Sequence, residues 1–326
     1  MGITAELRPL SLGEVLDRTF TLYRSHFRLF IGIMVPAQVL FTAASLLFQV
    51  FLTPARLAAM TPPIGPNPPP GLVFAALGIM ILYQLPLAVF SILVYAVANG
   101  ATTAAVSEVY LGKNPSILGA YRSLRGRVGK VIALVFAVTV GVLAVWLWPI
   151  LLAWLIVRLS GGAGNMLVLG VALLVAMLFL LGTTALAVWF ALRYSVAIPA
   201  LVLEKLGAWS SMRRSARLTV GHRGRLFMVW LLMAVIRYAG IMLFQGPFVA
   251  AALILYRYRM APLWFRTFST VAAGMGGMLT GPFLLIGLSL MYYDIRVRKE
   301  AFDLELMLQG TAAAGPAGAT PVVPAS

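Results

Sequence analysis

The chain has 326 residues, of which 61% are hydrophobic and only 10% are charged, and it contains no cysteine. Soluble domains carry about 25% charged and roughly 45–50% apolar residues, so this composition excludes a soluble globular protein. The lack of cysteine excludes disulfides, thiolate metal sites and cysteine nucleophiles. The net charge of +16 does not point to nucleic acid as a partner, because the Lys and Arg residues cluster at the ends of apolar runs, as in proteins that contact anionic lipid.

The first predicted element is an amphipathic helix at residues 11–27 that lies at the membrane surface. Ser11 followed three positions later by Glu14 is a capping-box signature for a helix start. Apart from the adjacent pair Val15 and Leu16, the apolar residues recur three or four positions apart, which places them on one helical face. They are Leu12, Val15, Leu16, Phe20, Tyr23 and Phe27.

Six apolar stretches are long enough to cross a membrane, because about 20 apolar residues span the hydrocarbon core. The predicted spans are 29–53, 72–98, 131–157, 166–192, 226–256 and 267–293. The second stretch meets no charge until Glu108, so its helix is expected to project beyond the membrane to about Tyr110. Residues 309–326 are rich in Ala, Gly and Pro and are predicted to be disordered, which leaves 1–308 as one transmembrane domain.

Two basic segments, residues 115–128 and 207–221, are predicted as further interfacial helices, and they carry an internal repeat. Four residues recur at a constant offset of 95 positions: Arg122 with Arg217, Gly126 with Gly221, Gly129 with Gly224 and Lys130 with Arg225. An N-terminal copy retains Arg28, Leu29 and Phe30 but lacks the glycines, so chance remains an alternative for that copy. The predicted fold is an all-α integral membrane protein of three units, each an interfacial helix followed by a transmembrane hairpin.

The distribution of charge predicts the orientation of the spans. When both termini and the two internal basic segments are placed on one side, that side collects all nine Asp and Glu residues and most of the 25 Lys and Arg residues. Excess Lys and Arg mark the cytoplasmic side of a membrane. Both termini are therefore predicted to be cytoplasmic.

The basic residues of the two internal segments are candidates for binding anionic lipid headgroups, since each Lys or Arg near such a surface contributes about 1 kcal/mol. The candidates are Arg122, Arg125, Arg127, Lys130, Arg213, Arg214, Arg217, Arg223 and Arg225. The alternative is that they only orient and anchor the bundle, as such charges do in every multi-span protein.

A second candidate site lies within the predicted spans. Arg237 is inside the fifth span, where a charge costs at least about 2.5 kcal/mol and usually faces the protein interior. It could hold an anionic substrate in a cavity with Gln38, Gln84 and Gln245. The alternatives are that Arg237 extends toward the membrane interface or pairs with backbone carbonyls, and that the amides only join helices by hydrogen bonds.

Two other patterns indicate structural roles. The glycines of residues 273–278 are predicted to form a close helix-packing face, because neither a preceding strand nor a following Lys-Ser/Thr marks a phosphate-binding loop. The mixed charges that end the last span are predicted to form ion pairs with the basic segments. They are Asp294, Arg296, Arg298, Lys299, Glu300 and Asp303.

No residue set specifies a chemical reaction. The two histidines, His26 and His222, have no second ligand at helical spacing, so no metal site is predicted. A nucleophile with an adjacent base is not evident either. We therefore expect no catalytic residue and no cofactor.

Several stretches resemble a known family. They are L-S-L-G-E-V-L-D-R-T-F-T-L-Y-R (10–24), R-Y-S-V-A-I-P-A-L-V-L-E (193–204), R-R-S-A-R-L-T-V-G-H-R-G-R-L-F (213–227) and Y-Y-D-I-R-V-R-K-E-A-F-D (292–303). Together they resemble the membrane domain found in some bacterial glycerophosphoryl diester phosphodiesterases, which also occurs alone in bacterial membrane proteins. In the fused enzymes the chemistry belongs to a separate soluble barrel, which is not expected here. The resemblance therefore implies a non-enzymatic protein of a bacterial cytoplasmic membrane.

These patterns predict a module that contacts anionic lipids or scaffolds an envelope or export complex, with membrane lipids and a membrane protein as its partners. The alternative is a transporter or permease subunit for a small molecule or lipid, with a cavity near Arg237.

Overall fold

The structure, a computed structural model, describes residues 10–51, 70–159, 166–256 and 261–300. Within these ranges the chain forms helices and turns and no strand. Six helices are long and apolar enough to cross a membrane, which confirms the predicted all-α membrane fold. Asp303 and the C-terminal tail lie outside the described residues.

The long helices follow the predicted spans, with shorter helices between them. The order is α1 (Leu12–Ser25), α2 (Phe27–Phe51), α3 (Pro70–Tyr110), α4 (Ile117–Arg122), α5 (Val128–Leu159), α6 (Met166–Arg193), α7 (Ala197–Leu203), α8 (Ala208–Leu218), α9 (Arg223–Ala251) and α10 (Leu263–Glu300). A π-helical turn, Ala252–Tyr256, extends α9. The helix α3 ends at Tyr110, as the uncharged run before it predicted.

The helix α1 begins with the predicted capping box. The Ser11 hydroxyl accepts a hydrogen bond from the Glu14 amide at 3.2 Å, and the Ser11 amide donates to the Glu14 carboxylate at 2.6 Å. At its other end Tyr23 donates to the carbonyl of Leu279 at 2.6 Å and packs on the ring of Phe283, 4.2 Å between centroids. The apolar face of α1 is thus held against α10.

The helix α10 lies at the centre of the described bundle. Its second half is buried almost continuously from Gly281 to Val297, and it contacts α1, α2, α3 and α9. The consecutive helices α5 and α6 also contact each other. The grouping of all six spans into three hairpins stays a prediction, because the connections 52–69, 160–165 and 257–260 lie outside the described residues.

Two short elements differ from the predictions. A helix was expected over 115–128, but α4 ends at Arg122 and turns follow as far as Arg127. The helix α7 was not predicted at all. Pro199 lies in its first turn, where a proline is tolerated because the amide would have no helical partner.

The internal repeat is visible in the backbone. Gly126 and Gly221 have φ values of +79° and +81°, a conformation that glycine adopts without the steric cost of a side chain. The residue after each glycine closes the same turn through its backbone amide. The amide of Arg127 donates to the Leu124 carbonyl at 2.8 Å, and the amide of His222 donates to the Thr219 carbonyl at 3.1 Å. Each turn then opens directly into a long helix, α5 or α9.

The N-terminal unit is built differently. A single residue, His26, separates α1 from α2, and its φ of −121° is not in the left-handed region. Without a glycine turn, α1 and α2 follow one another directly. The N-terminal copy therefore shares the order of elements with the other two units, but not their turn.

Candidate functional site

Asp294 is the buried centre of an ion-pair cluster near the end of α10. Its side chain is fully buried. One carboxylate oxygen accepts the backbone amide of Leu10 at 2.7 Å, and the other accepts a guanidinium N–H of Arg225 at 2.9 Å. Arg298, one turn along α10, donates Nε to both oxygens at 3.0 and 3.1 Å. These partners offset the cost of burying a charge.

The same two arginines also bind the backbone of Leu10. The Leu10 carbonyl accepts Nη2 of Arg225 at 2.6 Å and Nη2 of Arg298 at 2.7 Å. Each guanidinium therefore bridges the Asp294 carboxylate and the Leu10 carbonyl. We call this arrangement of Leu10, Arg225, Asp294 and Arg298 the Leu10 clamp. It joins the segment before α1 to α9 and α10.

A second cluster centres on Arg214 of α8. Its Nε donates to the Glu204 carboxylate at 2.9 Å, and its Nη2 donates to Glu300 at 2.6 Å. Tyr292 donates its hydroxyl to Glu204, and Arg296 donates to Glu300 at 3.1 Å. The hydrogen bond to Glu300, followed by that to Glu204, raises the pKa of Arg214. Arg214 thus stays charged while it links α8 to the end of α10.

Replacing Arg214 with alanine is expected to lower the free energy of unfolding by about 1–2 kcal/mol, because two carboxylates lose a charged donor. The adjacent Arg213 is the matched control. It is exposed, makes no ion pair within the described residues, and lies over the ring of Trp209 at 5.6 Å. Equilibrium unfolding in mixed micelles measures both variants, and equal losses would show that the pairing of Arg214 is not what stabilises α8.

The predicted headgroup residues fall into two groups. Besides Arg214 and Arg225, Arg127 points inward and donates to the Val202 carbonyl at 3.4 Å. The others are exposed and make no ion pair within the described part of the chain, except that Arg223 is half-buried over the ring of Trp189 at 4.9 Å. The exposed group is Arg122, Arg125, Lys130, Arg213 and Arg217.

The predicted ion-pair residues of α10 do contact the basic segments. Asp294 pairs with Arg225 and Glu300 pairs with Arg214, whereas Arg298 bonds to Asp294 and to the Leu10 carbonyl. Lys299 donates to the carbonyls of Arg217 at 3.1 Å and Val220 at 2.7 Å, which are carbonyls at the end of α8. Cations are favourable at this end of a helix. The N-terminal segment, α8 and the ends of α9 and α10 thus meet at one end of the bundle, here called the charged end.

Two residues of the predicted intramembrane site line different cavities. Gln38 accepts a hydrogen bond from Tyr95 at 2.7 Å and lines a cavity of about 510 Å³ between α2 and α10. Gln84 lines a different cavity, of about 490 Å³. Arg237 is exposed on α9, and it and Gln245 line neither. Gln38 therefore acts as a hydrogen-bonded contact between helices.

The charged end also contains a cavity that the sequence patterns did not predict. It has a volume of about 560 Å³, and its lining includes Arg193, Tyr194, Trp209, Arg213 and Arg217. Arg193 was not predicted as a site residue, because an arginine that follows a long apolar run indicates the end of a membrane span. Its spacing of four residues from Trp189 was the available signal, since residues four apart meet on one helical face.

Comparisons with known proteins do not assign this chain to a family. No protein-family model matches the chain, and neither the curated proteins nor the solved structures contain a match. The resemblance to the membrane domain of the phosphodiesterases therefore stays a prediction. Within the described residues, no group of three or more His, Asp or Glu side chains is placed to hold a metal ion.

Proposed function

We propose that the protein is a non-enzymatic membrane module whose charged end binds anionic phospholipid headgroups and so supports an envelope or export complex. The observation that carries this proposal is the division of the cations at the charged end. One set of cations forms internal ion pairs, and the other set is exposed without an ion pair in the described part of the chain.

Helix geometry accounts for this division. Successive residues on a helix lie about 100° apart, whereas residues at i and i+4 share a face. Arg214 turns toward Glu204 and Glu300, while Arg213 and Arg217, which are four residues apart, are exposed on α8. The internal pairs hold the fold, and the exposed set remains available for external anions.

The exposed set comes from two repeat units at the same end of the bundle. Arg122, Arg125 and Lys130 belong to the turn between α4 and α5, and α5 contacts α8. Arg127 reaches from that turn to Val202 of α7, which ties the two basic regions together. Exposed basic residues of this kind favour an anionic membrane surface, with each residue contributing about 1 kcal/mol.

The transporter alternative has no comparable support. It required a cavity that reaches Arg237, whereas Gln38 and Gln84 line two different cavities and Arg237 lines neither of them. No described cavity offers Arg237 an anionic substrate. The lipid-contact proposal therefore fits the geometry better.

The double substitution Arg122→Ala with Arg217→Ala tests the proposed function. Loss of two surface cations is expected to weaken association with anionic lipid by about thirtyfold, from about 1 kcal/mol for each residue. The measurement is mass spectrometry of the lipids that leave the membrane with the protein in detergent-free polymer nanodiscs. Vesicle binding at increasing salt concentration gives the affinity.

Arg237→Ala is the control, because it removes an exposed arginine that lies away from the charged end. It should leave lipid retention unchanged. Equal retention of anionic lipid by the double variant and the unmodified protein would contradict the proposal. Arg122, Arg217 and Arg237 are exposed and have no ion pair within the described residues. The double variant and Arg237→Ala should therefore unfold like the unmodified protein.

A further inference from the structure

The cavity between the end of α6 and α8 has an unusual lining. Three arginines contribute to it, Arg193 from α6 and Arg213 and Arg217 from α8, and no acidic residue does. Its volume of about 560 Å³ lies within the range of small-molecule pockets, about 300–1,000 Å³. Three cations around one cavity repel each other, so an anion in the cavity would be stabilised by all three.

Aromatic rings hold two of these guanidinium groups. The Arg193 guanidinium lies 5.2 Å from the ring centroid of Trp189 and 5.8 Å from that of Tyr194, and Arg213 lies 5.6 Å from that of Trp209. Such contacts restrict the planar group without using its N–H donors. The Nε of Arg193 is buried and has no hydrogen-bond partner in the described part of the chain. Buried donors are nearly always satisfied, so this unpaired donor adds to the positive potential beside the cavity.

The two walls of the cavity are fixed to each other. The backbone carbonyl of Arg193 accepts the hydroxyl of Ser215 at 2.9 Å and that of Thr219 at 3.4 Å, and both hydroxyl residues are fully buried. The side chain of Arg193 takes no part in these bonds. The arginines are therefore positioned before any ligand arrives, which lowers the entropic cost of binding.

The internal repeat does not reproduce the lining of this cavity 95 positions earlier in the chain. At the offset of 95 positions only one arginine of the cavity is retained, since Arg193 corresponds to Ala98, Trp209 to Asn114, Arg213 to Leu118 and Arg217 to Arg122. The cavity beside Tyr121 of the second unit is lined by apolar residues, among them Val97 and Ile132. The basic lining is thus not among the features that the repeated segments share.

We infer that this cavity is a discrete site for one phosphate ester, held by the guanidinium groups of Arg193, Arg213 and Arg217. Arginine presents paired N–H donors that match phosphate oxygens, and the rings of Tyr194 and Trp209 can contact the rest of the ligand. The inference rests on the proposed function and adds a stoichiometric site to it. The phosphate ester is a lipid headgroup or a soluble molecule, which share this chemistry.

The test is titration of the delipidated full chain in neutral detergent, read by native mass spectrometry. One arm uses inorganic phosphate and the other uses dihexanoyl phosphatidylglycerol. Saturable binding of one phosphatidylglycerol per chain, with no competition from phosphate, would support a lipid headgroup. Competition by phosphate at comparable concentrations would support a soluble ester, and no saturable binding of either probe would overturn the inference.

Arg193→Gln is expected to weaken the single binding event at least about tenfold, because it removes a charge-assisted hydrogen bond. Arg213→Gln should act in the same direction from an exposed position, which keeps the test valid if Arg193→Gln folds poorly. Arg237→Gln is the matched control, since Arg237 is exposed, lies away from the charged end and does not line the cavity. It should leave the stoichiometric binding unchanged.

The variants distinguish a failure of the discrete site from a failure of the wider basic surface. If Arg193→Gln and Arg213→Gln bind the probe as tightly as the unmodified protein, the discrete site is overturned, although the double variant Arg122→Ala with Arg217→Ala could still lose bulk anionic lipid. If the two glutamine variants lose the single bound molecule while Arg122→Ala retains all bulk lipid, the discrete site stands and the wider basic surface fails.

Discussion

Replacing Asp294 with alanine is expected to lower the free energy of unfolding by about 3 kcal/mol. Removing one partner of a buried ion pair typically costs about 3–5 kcal/mol, because the remaining charge is left uncompensated. The lower end applies here, since the side chains of Arg225 and Arg298 are 24% and 32% exposed and water can partly solvate them. The amide of Leu10 also loses its acceptor.

Equilibrium unfolding in mixed micelles measures this loss, and Asp17→Ala is the matched control. Asp17 is an exposed carboxylate on α1, and surface substitutions usually change stability by less than about 0.5 kcal/mol. Limited proteolysis near Leu10 should also become faster in the Asp294 variant alone, because the Leu10 clamp holds that segment. If Asp294→Ala and Asp17→Ala unfold alike, the clamp does not contribute to stability.

The Leu10 clamp shows what the sequence could and could not predict. The mixed charges after the last span indicated ion pairs with the basic segments, and Asp294 and Glu300 do form them. The choice of partner was not predictable, because Arg213 and Arg214 are adjacent and chemically identical. Only the rotation of α8 relative to α10 decides that Arg214 faces the carboxylates while Arg213 faces outward.

The spans were predictable because length and hydropathy alone identify them. The boundaries of the short elements were not. The helix α4 ends at Arg122, and turns follow it. Gly126 was recognised as part of a repeat, but neither that early end nor the φ of +79° at Gly126 is evident from residue type in a basic segment. The helix α7 was missed because Ile198-Pro199 resembles a break, although a proline in the first turn is compatible with a helix.

The sequence determines the positions of the two sets of candidate residues to different extents, for a physical reason. Charged residues near helix ends can be assigned to one end of a bundle from sequence, since spans alternate in direction. Residues inside spans, such as Arg237 and Gln84, meet only if each helix has the right rotation, and hydropathy does not determine it in spans of low amphipathicity. The cavity around Arg193 depends on the same unpredictable rotation, in this case of α6 against α8.

Gly276→Ala is expected to be about as damaging as loss of Asp294, although it adds only one methyl group. The Cβ atom of an alanine at this position would lie 2.6 Å from the carbonyl oxygen of Gly240 and 2.7 Å from Cα of Ile241, both backbone atoms of α9. No side chain can move aside, so α9 and α10 must separate. Overpacking typically costs about 1–3 kcal/mol, and we expect about 3 kcal/mol because the clash is with backbone.

Gly277→Ala is the control in the next position of the same helix. There the added Cβ would lie 3.6 Å from the side-chain oxygen of Gln38, an ordinary contact distance. Because alanine is favoured over glycine in a helix by about 1 kcal/mol, this variant should be as stable as the unmodified protein or more so. Unfolding in mixed micelles distinguishes the two outcomes. Equal stability of both variants would mean that the glycines of residues 273–278 do not set the distance between α9 and α10, and that helix association in this membrane bundle depends on other contacts.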